Sequence, residues 1–235
     1  MSERILPGEP PVTLFLRRSA RARRFALRVS RLDGQVTLSM PLGAAETEAL
    51  AFARAKAGWI RGALAATPPR TGPAFGASLP FEGRSLTITA AAVRTVRVAG
   101  EALLVPAGAD RLAARIAAFL KLAARQRLQE ASARHAAAVG RSIRQISLRD
   151  TRSRWGSCTA DGRLMYSWRL IMAPPPVLDY VAAHEVAHLV EMNHSPAFWA
   201  LVARLLPGHA AERQWLRRHG AMLHRIDFGP APVGQ

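Results

Sequence analysis

The stretch His184-Glu185-Val186-Ala187-His188 constrains this chain more than any other, because it sets two imidazoles and a carboxylate in an apolar run that reads as one helix. Each helical residue turns about 100°, so positions four apart return to within roughly 40° and His184 and His188 share a face. Two neutral imidazoles on successive turns can reach one metal ion, while Glu185 projects beside that ion rather than onto it. Upstream, Met172-Ala173-Pro174-Pro175-Pro176 cannot carry a helix in but can start one, and the helix is expected to begin near Pro176. Val177, Tyr180, Val181, Val186, Ala187 and Val190 make the rest of the rod apolar, as in a helix covered on most sides. Asn193 is the expected stop, through the left-handed conformation that asparagine tolerates, and Ser195-Pro196 reads as the N-cap and first-turn proline of the next helix. His194 then lies in the turn between them, where it can supply a third protein ligand and leave a fourth position to water, the arrangement of catalytic zinc. Glu212 is the rival third ligand, and His209, His219 and His224 read as surface or helix-end histidines.

Charge is the second signal. The chain carries 33 Lys and Arg against 16 Asp and Glu, a net +17, and Lys56 and Lys121 are its only lysines. An arginine-for-lysine style reflects GC-rich coding, but the excess of base over acid favours an anionic partner: nucleic acid, another polyanion or a phosphate-bearing nucleotide. A solvated basic surface explains the same charge equally well. The single Cys158 excludes an internal disulfide and suits a reducing compartment. With no apolar signal core in Met1–Pro11 and no apolar run of about 18 residues, a cytoplasmic protein with no membrane partner is expected.

At 235 residues the chain can build one large core or two smaller domains. Val12–Arg17, Phe25–Ser30 and Val36–Met40 read as strands, with Asp33-Gly34 as a hairpin turn and Arg21, Arg23, Arg24, Arg28 and Arg31 as a candidate anion patch. Ala44–Ala65 reads as one helix with Trp59 in the core, and Thr67 to Gly76 as a linker or long loop. Short strands are expected at Ser85–Thr89, Thr95–Val98 and Ala102–Val105, joining the opening strands in one antiparallel sheet region, and no internal repeat is evident. A long amphipathic helix over Ala109–Val139 ends at Gly140. Strands follow over Ile143–Asp150 and Arg163–Met172. The fold class is therefore α+β, a β-rich basic region over residues 1–108 followed by a catalytic domain over 109–235.

Several motifs in register resemble a known family. Ser153-Arg154-Trp155-Gly156-Ser157-Cys158, Ser167-Trp168-Arg169-Leu170, Ala173-Pro174, Asp179-Tyr180-Val181, the two-histidine motif and Asn193-His194-Ser195-Pro196-Ala197-Phe198-Trp199 are similar to the YgjP-like metallopeptidases, relatives of the SprT-like zincins. Arg17-Arg18-Ser19 and Arg23 to Val29 resemble the family's opening basic strands. The resemblance implies a minimal zincin-like domain, zinc on His184, His188 and His194, and Glu185 as general base. It also implies that an edge strand near Arg154 to Gly162 pairs with extended substrate. The family often carries Asn where Ser167 stands, so this chain has no side-chain amide at that position.

The leading expectation is thus a cytosolic zinc metallopeptidase acting on a peptide or protein, with Arg154, Arg169 or Tyr180 as substrate-binding or oxyanion residues. Either arginine can equally be structural, satisfying buried carbonyls. Cys158 reads as an unreactive thiol more readily than as an extra zinc ligand. One rival keeps the metal but hydrolyses nucleoside triphosphates to release pyrophosphate. Another is a nucleic-acid-binding protein in which the zinc is structural.

Overall fold

The structure is a computed structural model that describes residues 2–30, 34–66, 71–108 and 111–229. It is mixed α+β, and the chain forms two compact units, Met1–Arg70 and Thr71–Gln235. The expected boundary at 108/109 therefore falls inside the second unit.

In the first unit, β1 (Ser2–Leu6), β2 (Val12–Arg18), β3 (Ala26–Val29) and β4 (Val36–Met40) form a sheet of order β1-β2-β4-β3. Its central pair, β2 and β4, is parallel and both outer pairs are antiparallel. Alternation decides the faces: Val12, Leu14 and Leu16 of β2 and Val36, Leu38 and Met40 of β4 are buried. Asp33 of the expected turn, like Arg31 of the expected anion patch, lies outside the described residues, but β3 and β4 do pair as a hairpin would. Arg21, Arg23, Arg24 and Arg28 are exposed. The single helix expected over Ala44–Ala65 is two, α1 (Glu46–Ala55) and α2 (Ala57–Ala65), divided at Lys56. Ala49, Ala53 and Ile60 face the sheet, and Trp59 is 54% exposed rather than in the core. Helical spacing placed Trp59 on the Ile60 side; the break at Lys56 resets that phase.

The second unit opens with β5 (Ser78–Phe81), β6 (Arg84–Ala91), β7 (Arg97–Ala99) and β8 (Ala102–Pro106), a separate sheet rather than part of the first. Its order, β5-β6-β8-β7, with a parallel centre and antiparallel flanks, repeats that of the first sheet. The long helix α3 (Leu112–Ala138) follows and ends as expected at Gly140, whose φ is 62°. Ile116, Leu120, Ala124, Leu128 and Ala131 of α3 are buried in a core shared with β5, β6, β8 and the helices that follow.

A third sheet has the order β10-β11-β9, from β9 (Gln145–Arg149), β10 (Gly156–Cys158) and β11 (Arg163–Ser167). The second strand expected here stops at Ser167, and Trp168–Met172 turns as a 3₁₀ segment. Every residue from Trp168 to Ala173 is buried, so side-chain alternation there carries no strand information. Then come α4 (Pro175–Ala187), α5 (Pro196–Leu205) and α6 (His209–Leu223). The β5–β6 turn braces the start of α4. Glu82 N donates to Ile171 O at 2.8 Å, and a Cβ on Gly83 would lie 2.9 Å from Pro174 Cα. Asp179 ties α4 to α3 through His135 Nε2 and Arg134, each at 2.9 Å.

Candidate metal centre

The motif helix is apolar nearly all round: Val177, Leu178, Val181, Ala182, Ala183, Val186 and Ala187 are buried. It starts at Pro175 and its regular part closes at Ala187, with His188 at the C-cap, earlier than the stop expected at Asn193. The chain continues in turns, Glu191 N donating to Ala187 O at 2.9 Å, so His188 still stands one turn beyond His184. Asn193 does not take the left-handed conformation; among the described residues other than glycine only Glu82 and Arg111 do. Ser195 is the N-cap of α5 as expected, its hydroxyl accepting from Phe198 N at 3.3 Å ahead of Pro196.

This turn brings the three histidines together. One ligand atom from each of His184, His188 and His194 lies within 4.8 Å of the others, and His184 Nε2 and His194 Nε2 are 3.1 Å apart. The donor set fits a metal ion on two further observations. Burial, with the charges of His188, His194 and Arg213, lowers the His184 pKa to about 3, so the ring is neutral and its lone pair available. His188 Nδ1 lies 3.0 Å from the carbonyl of Glu191, and donating there leaves Nε2 as its ligand atom. Burial also lowers the His188 pKa, against the pull of that carbonyl. Glu212 is not in the cluster; it sits in the first turn of α6 with Oε2 buried and unpartnered. Cys158 is also outside it, and burial and the Glu185 charge push its thiol up to about 11.

Glu185 is 5% exposed, and burial raises its carboxyl from 4.5 to about 8, with Arg154 pulling weakly the other way. Its carboxylate presses on β10: a Cβ on Gly156 would lie 2.5 Å from Glu185 Oε1. Only glycine lets the strand come this close. β10 is at the edge of its sheet, as the resemblance implied.

A cleft of about 320 Å³ adjoins His184 and Glu185. Arg154 and Tyr180, both expected at the site, line it. Arg169 does not. It is 4% exposed, forks onto Asp150 at 2.6 and 3.0 Å, and donates to the carbonyls of Leu223 and Ile226 at 2.8 and 2.9 Å, a structural arginine. The sequence reading missed Arg213 and Arg217, which line the cleft from α6. Their i, i+4 spacing on one face was visible, but nothing in the sequence docks α6 against the motif helix.

A mixed α+β fold bearing a helix-borne His-Glu-x-x-His and a third converging histidine defines a metal-dependent hydrolase. The sequence model described as "YgjP-like, metallopeptidase domain" matches residues 23–219, and the chain belongs to this family. Among solved structures, the crystal structure of the metallopeptidase zymogen of Pyrococcus abyssi abylysin is similar at 17% identity and a TM-score of 0.36, over 43% of this chain and 99% of that one. No curated protein matches the chain.

Proposed function

We propose that this metallohydrolase is a cytosolic zinc peptidase in which His184, His188 and His194 hold the ion and Glu185 is the general base. When bound, zinc acidifies water and polarises a carbonyl. Proton handling falls to the chain. The Glu185 carboxyl, which burial raises to about 8 in the metal-free chain, ionises more readily beside a cation held by the three histidines, and the carboxylate then takes the proton of the attacking water and hands it to the leaving nitrogen. Gly156 fixes that carboxylate against the edge strand, where an extended peptide can pair by main-chain hydrogen bonds. The Tyr180 hydroxyl and the Arg154 guanidinium are the donors available to a developing oxyanion.

The observation that carries this reading is the buried Glu185, next in sequence to a histidine of the converging triad and held against the backbone of β10 on the cleft wall. Metal analysis of the purified protein with an unbiased peptide screen tests it. Glu185→Gln is expected to keep its metal and lose about 10²–10⁴-fold in turnover. Turnover unchanged in Glu185→Gln, or a metal other than zinc supporting the faster reaction, would overturn the corresponding half of the proposal. The basic surface is consistent with a polyanion as an additional partner, and binding to it should survive Glu185→Gln and fall steeply with salt.

A further inference from the structure

Two sets of arginines in the second unit stand in contrast. Arg127, Arg134, Arg144, Arg163 and Arg169 each pair with a carboxylate, Glu82, Asp179, Asp161 or Asp150. Arg154, Arg213 and Arg217 show no ion pair to a carboxylate among the described residues, although the Arg154 charge acts on Glu185, and all three line the cleft beside His184 and Glu185. The cleft holds no carboxylate other than Glu185.

Arg213 is not a loose surface side chain. Its guanidinium lies 4.4 Å over the Trp199 ring, and Trp199 in turn stacks on His194 at 5.8 Å with the rings 23° apart. Stacking fixes the plane of the guanidinium and leaves its N–H edge free for an oxyanion. Arg217 is one helical turn further along α6, and Arg154 faces them from the segment leading into β10. Between the charges the lining is apolar: Trp155, Val181 and Leu216. Such a lining takes the methylenes of a side chain while the arginines take its charged end.

Resting on the peptidase reading, we infer that this cleft is a specificity pocket for an acidic residue, Asp or Glu, adjoining the scissile bond of the substrate. A peptide fits better than a free phosphate anion for two reasons. The cleft wall is continuous with the edge strand, where a peptide backbone can pair, and its floor offers apolar surface that a bare polyphosphate would leave unused. Arg213 and Arg217 are then specificity-determining residues, and Arg154, already a donor to the oxyanion, adds its charge; each guanidinium carries the fork that can bind a carboxylate bidentately.

Two measurements on the zinc-loaded full chain separate this inference from the reading it rests on. The first is binding of fluorescent octapeptides to Glu185→Gln by anisotropy, with Glu, Gln or Lys at one position and all else equal. Glu is expected to bind at least tenfold more tightly than Gln, with the margin shrinking as salt rises. Arg154→Glu/Arg217→Glu should reverse the order in favour of Lys, and a circular-dichroism melt checks that it folds. Arg213→Gln, which removes a charge without introducing one, should cut the Glu-over-Gln margin severalfold. Equal binding of Glu and Gln, or a Glu preference that survives charge reversal, overturns the pocket.

The second measurement is cleavage of the same peptides by the wild type. Cleavage without a Glu preference leaves the peptidase and removes the pocket. A Glu preference in binding with no cleavage of any peptide removes the peptidase and leaves an anion-selecting cleft. Inorganic tripolyphosphate and a nucleoside triphosphate form the last arm. If they displace the Glu peptide stoichiometrically and the nucleotide is hydrolysed while peptides are not, the cleft is a phosphate site and the acidic-peptide assignment is wrong.

Discussion

Two neighbouring residues of the motif have pKa values shifted in opposite directions by burial, and they make opposing contributions to how the metal-free protein responds to pH. Burial holds His184 down at about 3, so its stabilising neutrality grows as pH rises from there towards 6.5. Burial holds Glu185 up at about 8, so the fold loses stability as pH climbs from 4.5 towards 8, where the unfolded chain has already released the proton. The two slopes oppose each other between 4.5 and 6.5, and above 6.5 only the Glu185 slope remains. Thermal melts of chelator-treated protein should therefore show stability falling from pH 6.5 to 8, and Glu185→Gln should flatten that fall. At Gly156 the prediction concerns catalysis. A Cβ 2.5 Å from Glu185 Oε1 must displace the carboxylate, so Gly156→Ala should cost about 10²-fold in turnover, as misplaced catalytic groups do, with metal content unchanged. Full activity in that variant would mean that the contact does not position the base. The convergence of His184, His188 and His194 beside a buried Glu185 was legible in the sequence because it follows from spacing along one helix and its turn. The role of Gly156 was not, since it depends on a strand arriving from 29 residues earlier.

At the scale of elements, α6 shows how a wall of the site is fastened from behind. Arg169 leaves the 3₁₀ segment and donates to the carbonyls of Leu223 and Ile226 at the end of α6, a favourable place for a cation. Gly220 of α6 meets Trp155 so closely that a Cβ would lie 2.8 Å from Trp155 Cζ2. Arg169→Ala would strand those carbonyls and the Asp150 carboxylate, at a cost on the order of 3 kcal/mol. Lysine should recover little of it, having no planar fork. Denaturant midpoints measure the loss, and a shift within error would show that water replaces the guanidinium. Acid should weaken the same anchor. Although burial raises the Asp150 pKa, the Arg169 hydrogen bond and charge prevail and hold it below the usual carboxylate range. Its contribution is present above that range and disappears as pH drops through the lowered value. Element types were largely readable: α3, α4 and most strands fall where the apolar spacing put them, and α5 starts at its Ser195 cap. Their partners were not. Nothing local distinguishes one sheet from two, and the parallel central pairs arise from long-range register.

Over the whole chain, each compact unit carries its own core, Leu14, Leu38 and Ile60 in the first and the α3–α4 cluster in the second. Leu38→Ala should destabilise the first unit by about 2–5 kcal/mol, the usual cost of such a cavity, and leave zinc affinity at the histidines unchanged. Calorimetry with a metal-binding titration reads both quantities, and a parallel loss of affinity would show the cores to be coupled. The same strand order appears in both units although no repeat can be seen in the residues. Strand order is set by backbone pairing between distant segments, which local periodicity does not carry, and so periodicity alone merged the two sheets and set the boundary at 108/109. The brace of Glu82 and Gly83 on the motif helix explains why residues 71–108 belong with the site.

The contact of Gly156 with Glu185 has a mechanical consequence. On the proposed mechanism, the strand that would align a substrate backbone is also the backstop of the base, so alignment and chemistry would be coupled. A peptide that tugs β10 out of register would detune the base in the same motion, and badly seated substrates would be held without being cut.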